Sequence, residues 1–227
     1  MLPDENAPYR GAGLRKESLL GLAAALLVYY VALRWLTPAI ARLLEPRFPS
    51  EPGPRLFLQH LLTFSWPTAM VCGAAWWLLS RLGVLEPPRS WLGFGPRPGQ
   101  AIRCGLIAGV ILSAVVVVVG LALGQRLRFH PNAWGMAGNV FSNAYEELEY
   151  RGLLLHAGWA ASGHRWGGVL ISSLVFGWSH AHGSHAVPRM IAAGIAGLVF
   201  ALLAVRTRSL GGAWTAHQLS DMILDSI

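Results

Sequence analysis

Charge is scarce in this chain. Only 13% of its 227 residues are Asp, Glu, Lys or Arg, about half the share in a water-soluble domain. Hydrophobic residues make up 54%, and the mean hydropathy is +0.45. Such a composition excludes an ordinary soluble domain and points to a membrane protein. Lysine is almost missing: Lys16 stands alone among 18 basic residues. The arginines fall mostly between apolar runs, as in loops at a lipid surface. No polar domain is present on which they could form a nucleic-acid-binding face. Cysteine is equally rare. Cys72 and Cys104 both lie in apolar runs, with no disulfide framework and no metal-ligand spacing. Both read as small buried hydrophobes.

What is abundant is apolar sequence in long runs. A spanning helix needs about 20 mainly apolar residues. Candidate segments lie at 18–36, 57–80, 102–124, 138–157, 166–181, 188–205 and from Leu210 to the C-terminus. Pro67 is a kink point in the second. Between 81 and 100, "RLGVLEPPRSWLGFGPRPGQ" is dense in Pro and Gly and reads as a loop, its Trp and Phe at the membrane interface. "HGSHAVPR" (182–189) reads as a bend. The expected fold is all-α: a polytopic bundle of about seven transmembrane or membrane-embedded helices. It forms a single integral-membrane domain over 1–227, with its motif-bearing core at about 138–227. The polar start "MLPDENAPYRGAGLRKES" precedes a run that contains Arg34 and lacks a small-x-small cleavage site. That run reads as a retained helix, not a signal peptide. Loop Lys/Arg divide as about 10 against 6, which favours a cytoplasmic N-terminus.

Acidic residues become rare after Glu86. Only Glu146, Glu147, Glu149, Asp221 and Asp225 follow, and all sit in two apolar segments. An ionisable group inside a membrane costs roughly 2.5–3.5 kcal/mol on insertion scales, so each needs a partner and is a functional candidate. On a helix over "NAYEELEYRGLLL" (143–155), Glu147 and Arg151 are i and i+4, within reach of an ion pair. Glu146 lies about 100° away, with Tyr150 as its i+4 neighbour, and can face a cavity. A carboxylate in a poorly solvated cavity suits a general base. Glu149 reads as peripheral, facing a loop or an interface. By themselves these groups fit a buried charge network that fixes helix packing as well as they fit a reactive site.

Histidines shift that balance. In "FGWSH", Phe176 and His180 are i and i+4; in "WTAHQLSD", so are His217 and Asp221, with Trp214 three residues before His217. Glu, His, His and Asp on three helices could converge on one water.

The three motifs EExxxR (146–151), FxxxH (176–180) and Hxxx(D/N) (217–221) stand in this order on apolar helices. In this the chain resembles the CAAX protease and bacteriocin-processing family, the glutamic intramembrane proteases that include the type II CAAX prenyl endopeptidases. The resemblance covers about 138–227. It implies an endopeptidase in which Glu146 and His180 activate water, and His217 with the residue at 221 stabilises the oxyanion. Glu147 and Arg151 would position the site. Phe176, Trp214 and Tyr150 are the candidates for lining a substrate cavity. It implies no cofactor and no metal. The substrate would be a membrane-associated peptide or protein: CAAX-like, a C-terminal sorting signal or a bacteriocin-type peptide. Position 221 departs from the prenyl proteases, which have Asn there. Either Asp221 is protonated, or it accepts a hydrogen bond that orients His217.

Three other readings compete. His180, His182 and His185 form H-x-H-x-x-H, the basis of a zinc protease, although no HExxH occurs. A membrane immunity or scaffolding protein could bind a peptide without cutting it. A proton relay also uses buried Glu and His, but no inverted repeat is evident. Glu146 lies roughly 12 Å into its segment and His180 near the end of its own, so the cavity opens beside the 125–137 and 182–187 loops. With a cytoplasmic N-terminus, that is the extracytoplasmic face of a bacterial inner membrane.

Overall fold

The computed structural model describes residues 16–226 except 64–65, 123, 125, 127 and 184. The polar stretch at 1–15 lies outside them. All seven expected segments are helical, and no strand occurs among the described residues. The first segment is one continuous rod: α1 (Lys16–Val31) passes through a π-helical turn (Ala32–Leu36) into α2 (Thr37–Leu44). The second is two helices, α3 (Pro52–Leu62) and α4 (Trp66–Arg81). Pro67 therefore sits in the first turn of α4, where a missing N–H costs nothing, and not mid-helix as expected. Then follow α5 (Pro98–Ala122) and α6 (Ala133–Glu147). A π-helical turn (Leu148–Leu154) joins α6 to α7 (Leu155–Ser162). The chain ends in α8 (Arg165–Ser179), α9 (Ala186–Thr207) and α10 (Leu210–Leu224).

Among the described residues, three helices are long and apolar enough to cross a membrane: Glu17–Arg47, Pro98–Ala122 and Ala186–Thr207. Of the others, α8 has 15 residues and reaches only about 22 Å, while the rod α6–π turn–α7 (133–162) is long enough but carries Glu146, Glu147, Glu149 and Arg151. The polarity of the bundle is that of a lipid-solvated fold. Leu19, Leu27, Ile107, Val118, Leu174 and Ile195 are exposed, while Glu147, Glu149, Arg151 and His217 are buried.

Small residues bring the helices together. A Cβ added at Gly105 of α5 would lie 2.6 Å from the Gly212 carbonyl of α10, and one at Gly177 of α8 would lie 2.7 Å from the Met190 carbonyl of α9. Backbones this close gain dispersion contacts that lipid cannot match. Ends are fixed by caps. The Asn132 side chain accepts from Gly135 N at the start of α6, and Ser209 from Gly212 N at the start of α10. Gly163, with φ 68°, closes α7 in the left-handed conformation that glycine tolerates.

The 82–97 connection is a loop, as its Pro and Gly foretell, but Trp91 does not face outward to anchor in lipid. It is 2% exposed and packs edge-on against His156, with ring centroids 4.5 Å apart. The loop's backbone explains this. Leu210 N donates to the Trp91 carbonyl (3.0 Å) and Gly211 N to that of Gly93 (2.7 Å), so the loop is hydrogen-bonded across the α9–α10 turn. This end also holds the α7–α8 turn. At the other end, His130 N donates to the Ser226 carbonyl (2.8 Å).

Candidate active site

The π-helical turn is the centre of the site. Its wide turn is marked by Leu155 N donating to the Tyr150 carbonyl, five residues back. Residues 149–154 are all buried, because α1, α4, α8, α9 and α10 surround the turn on every side.

Glu147 is the hub, 1% exposed. Its Oε1 accepts from Arg151 Nη1 at 3.2 Å and from His217 Nδ1 at 2.9 Å. Arg151 is fully buried, and its Nη2 donates to the Gly197 carbonyl of α9 at 3.2 Å. The guanidinium lies 4.5 Å from the ring centre of Phe176 and 5.2 Å from that of Phe200. Aromatic faces thus supply part of the negative potential that water would otherwise provide. The imidazole of His217 stacks on Phe200 at 4.7 Å, and Phe176 meets it edge-on at 5.6 Å. One ion pair and one aromatic box therefore fix the His217 ring.

With Nδ1 given to Glu147, Nε2 of His217 points at two carboxylates. Glu146 Oε2 lies 3.9 Å away and Asp221 Oδ2 3.7 Å. Both separations exceed a direct hydrogen bond. The hydrogen bond that orients His217 thus comes from Glu147, not Asp221. Glu146 also lies within electrostatic reach of His180. The ring of His180 is oriented by Nδ1 donating to the Phe176 carbonyl at 2.8 Å, with Ser179 Oγ at 3.2 Å. Its Nε2 is then the acceptor nitrogen.

Of the expected cavity residues, Phe176 is buried among Arg151, His180 and His217, and Tyr150 is equally buried. Both are committed to packing. Tyr150 donates to Ser179 Oγ (2.8 Å) and lies 2.5 Å from the Tyr29 hydroxyl. Trp214 is half-buried and donates from Nε1 to the Val140 carbonyl of α6 at 3.1 Å. Glu149 is not peripheral: it is 1% exposed, because the π turn is enclosed on all sides. His182 and His185 are exposed in the α8–α9 connection, and no three of the described His, Cys, Asp and Glu are grouped to hold a metal.

Several residues escaped the sequence reading. Tyr29 reaches the site from α1. Asn139 donates to Asp225 Oδ2 (2.8 Å), and Asn143 to Gln218 Oε1 (3.3 Å). The two asparagines lie four residues apart, upstream of Glu146, on a helix meant for lipid. Amides at that spacing in an apolar segment were the available signal.

Residues 128–223 match the family model described as type II CAAX prenyl endopeptidase Rce1-like. Over this segment, less than half of the chain, the protein is similar to that protease family. The matched segment holds every residue of the Glu147 cluster, while α1–α5 lie outside it. The match, with the three long apolar helices, supports a membrane-embedded protease in general. No curated protein and no solved structure matches the chain.

Proposed function

We propose that the protein is a CAAX-type protease, a glutamic-type intramembrane endopeptidase, and that the whole chain acts as one membrane domain. The observation that carries the reading is the surroundings of His217: Nδ1 is anchored on Glu147, and Nε2 lies within 4 Å of both Glu146 and Asp221. A water among these groups can contact all three. Glu146, with His180 Nε2 as a second acceptor, takes a proton from that water. The hydroxide adds to the peptide carbonyl carbon. The oxyanion accepts a hydrogen bond from Nε2–H of His217, present as an imidazolium whose counter-charge is the surrounding carboxylates. Collapse of the intermediate breaks the C–N bond, and the proton held by Glu146 passes to the leaving amine. Asp221 keeps the donor in place as a counter-ion and does not touch the oxyanion. Glu147 and Arg151 position His217.

The substrate is a membrane-anchored peptide cut near the surface of a bacterial inner membrane. The site opens beside the α8–α9 connection, on the face away from the cytoplasm. The test is cleavage by the full chain in proteoliposomes. The panel holds a prenylated C-terminal peptide, its unprenylated form and a transmembrane sorting peptide, all read by mass spectrometry. Glu146→Gln should lower the rate of whichever peptide is cut by about 10²–10⁴-fold, with the melting temperature unchanged. Full activity in that variant overturns the assignment. Loss of wild-type activity to phenanthroline, restored by zinc, would point to a metalloprotease instead.

A further inference from the structure

At the opposite end of the bundle from Glu146 and His180, α8 and α9 enclose a cleft of about 300 Å³, lined by Arg165, Trp166, Val169, Leu202, Val205 and Arg206. Arg165 opens α8 and Arg206 stands in the last turn of α9. Both therefore lie where these helices reach the membrane surface. The lining has two characters, guanidiniums and apolar side chains, and the Arg165 guanidinium lies over the Trp166 ring, 5.9 Å from its centre. The apolar part continues along the bundle. Trp166, Leu170 and Leu174 recur every fourth residue down one face of α8, and Leu202 and Ile195 run likewise down α9; all five are exposed.

We propose that this cleft binds an anionic phospholipid. The phosphate lies between Arg165 and Arg206, and the acyl chains run down the exposed faces of α8 and α9. Guanidinium forks match phosphate oxygens. Basic pockets between transmembrane helices select anionic headgroups. Trp166 sits at the level where indoles anchor to an interface. A free anion would leave Val169, Leu202 and Val205 without a partner, and a zwitterionic lipid would bring a cation against two arginines. The same end carries Arg81, Arg89, Arg97 and Arg208, which adds to its field. None of this depends on the residues proposed for catalysis.

The test is native mass spectrometry of the full chain released from mixed phosphatidylglycerol and phosphatidylcholine nanodiscs. A parallel thermal melt is run in each lipid and with inorganic phosphate. The wild type should retain phosphatidylglycerol over phosphatidylcholine and melt higher with it. Arg165→Gln and Arg206→Gln should each lower that preference about fivefold, as for one basic residue at an anionic surface. Val205→Trp, which fills the cleft and keeps both charges, should abolish retention. Arg89→Gln with Arg97→Gln, at the same end but outside the cleft, should leave it unchanged. Should Arg165→Gln fail to fold, Arg206→Gln and Val205→Trp decide. Undiminished preference in the cleft variants overturns the proposal. So does equal loss in the Arg89 and Arg97 control, or stabilisation by inorganic phosphate equal to that by the lipid.

Discussion

Glu147 and Glu149 stand two residues apart beside one π-helical turn, and each is 1% exposed. Their surroundings could hardly differ more. Glu147 accepts at its Oε1 from Arg151 of the π turn and from His217 of α10. Glu149 turns to the α1 and α4 side, within electrostatic reach of Tyr29 and Cys72, and its Oε1 accepts no hydrogen bond. Equal burial thus covers two situations: a carboxylate built into a network, and one whose neighbours are hydroxyl, thiol and hydrocarbon. Partners, not burial, separate a positioning group from a tolerated one.

The sharpest way to break the contrast is to remove the cation from the Glu147 side. Arg151→Met leaves Glu147 without its ion pair and the Gly197 carbonyl without its donor. The expected loss is about 3–5 kcal/mol, read as a denaturant or thermal shift of the purified protein in detergent. Arg151→Lys should recover little, since a single ammonium cannot serve Glu147 and Gly197 with the same fork. A loss below about 1 kcal/mol, the range of a surface pair, would mean that the two sides are energetically alike.

A smaller effect is expected where the Glu149 side touches the site. Tyr29→Phe removes one hydroxyl from the line Tyr29–Tyr150–Ser179, which should cost about 0.5–1.5 kcal/mol by the same measurement. The smallest belongs to Glu149 itself. Glu149→Leu replaces a buried acceptor that lacks a hydrogen bond at Oε1, so stability should stay within about 1 kcal/mol of wild type or rise. Proteolysis should persist. An inactive but stably folded Glu149→Leu would reverse the comparison and move Glu149 into the working site.

Much of this was legible locally. The i, i+4 spacing announced the Glu147–Arg151 pair, and the helical character of all seven segments follows from apolar runs that only a helix can satisfy in lipid. Glu149 was misread because its position was projected onto a regular α-helix with one face outward. The π turn and five surrounding helices leave that segment no outward face. Trp91 was misread for a related reason: a Trp in a Pro/Gly-rich loop suits an interface, and nothing nearby in sequence reveals that the loop's carbonyls bond the α9–α10 turn.

The chain's own residues, by their spacing and polarity, determined a helical membrane protein, its motif order and which side chains could pair within one helix. These depend on helix pitch and on the cost of polar groups in hydrocarbon, both local properties. Only tertiary structure decided that Glu147 would orient His217, 70 residues away. It likewise decided that Asp221 would stand 3.7 Å off without bonding, and that Tyr29 would reach Tyr150 from outside the matched segment. Such contacts depend on how closely helix backbones approach. The glycines at their crossings set that approach, and it takes shape only once the helices have packed.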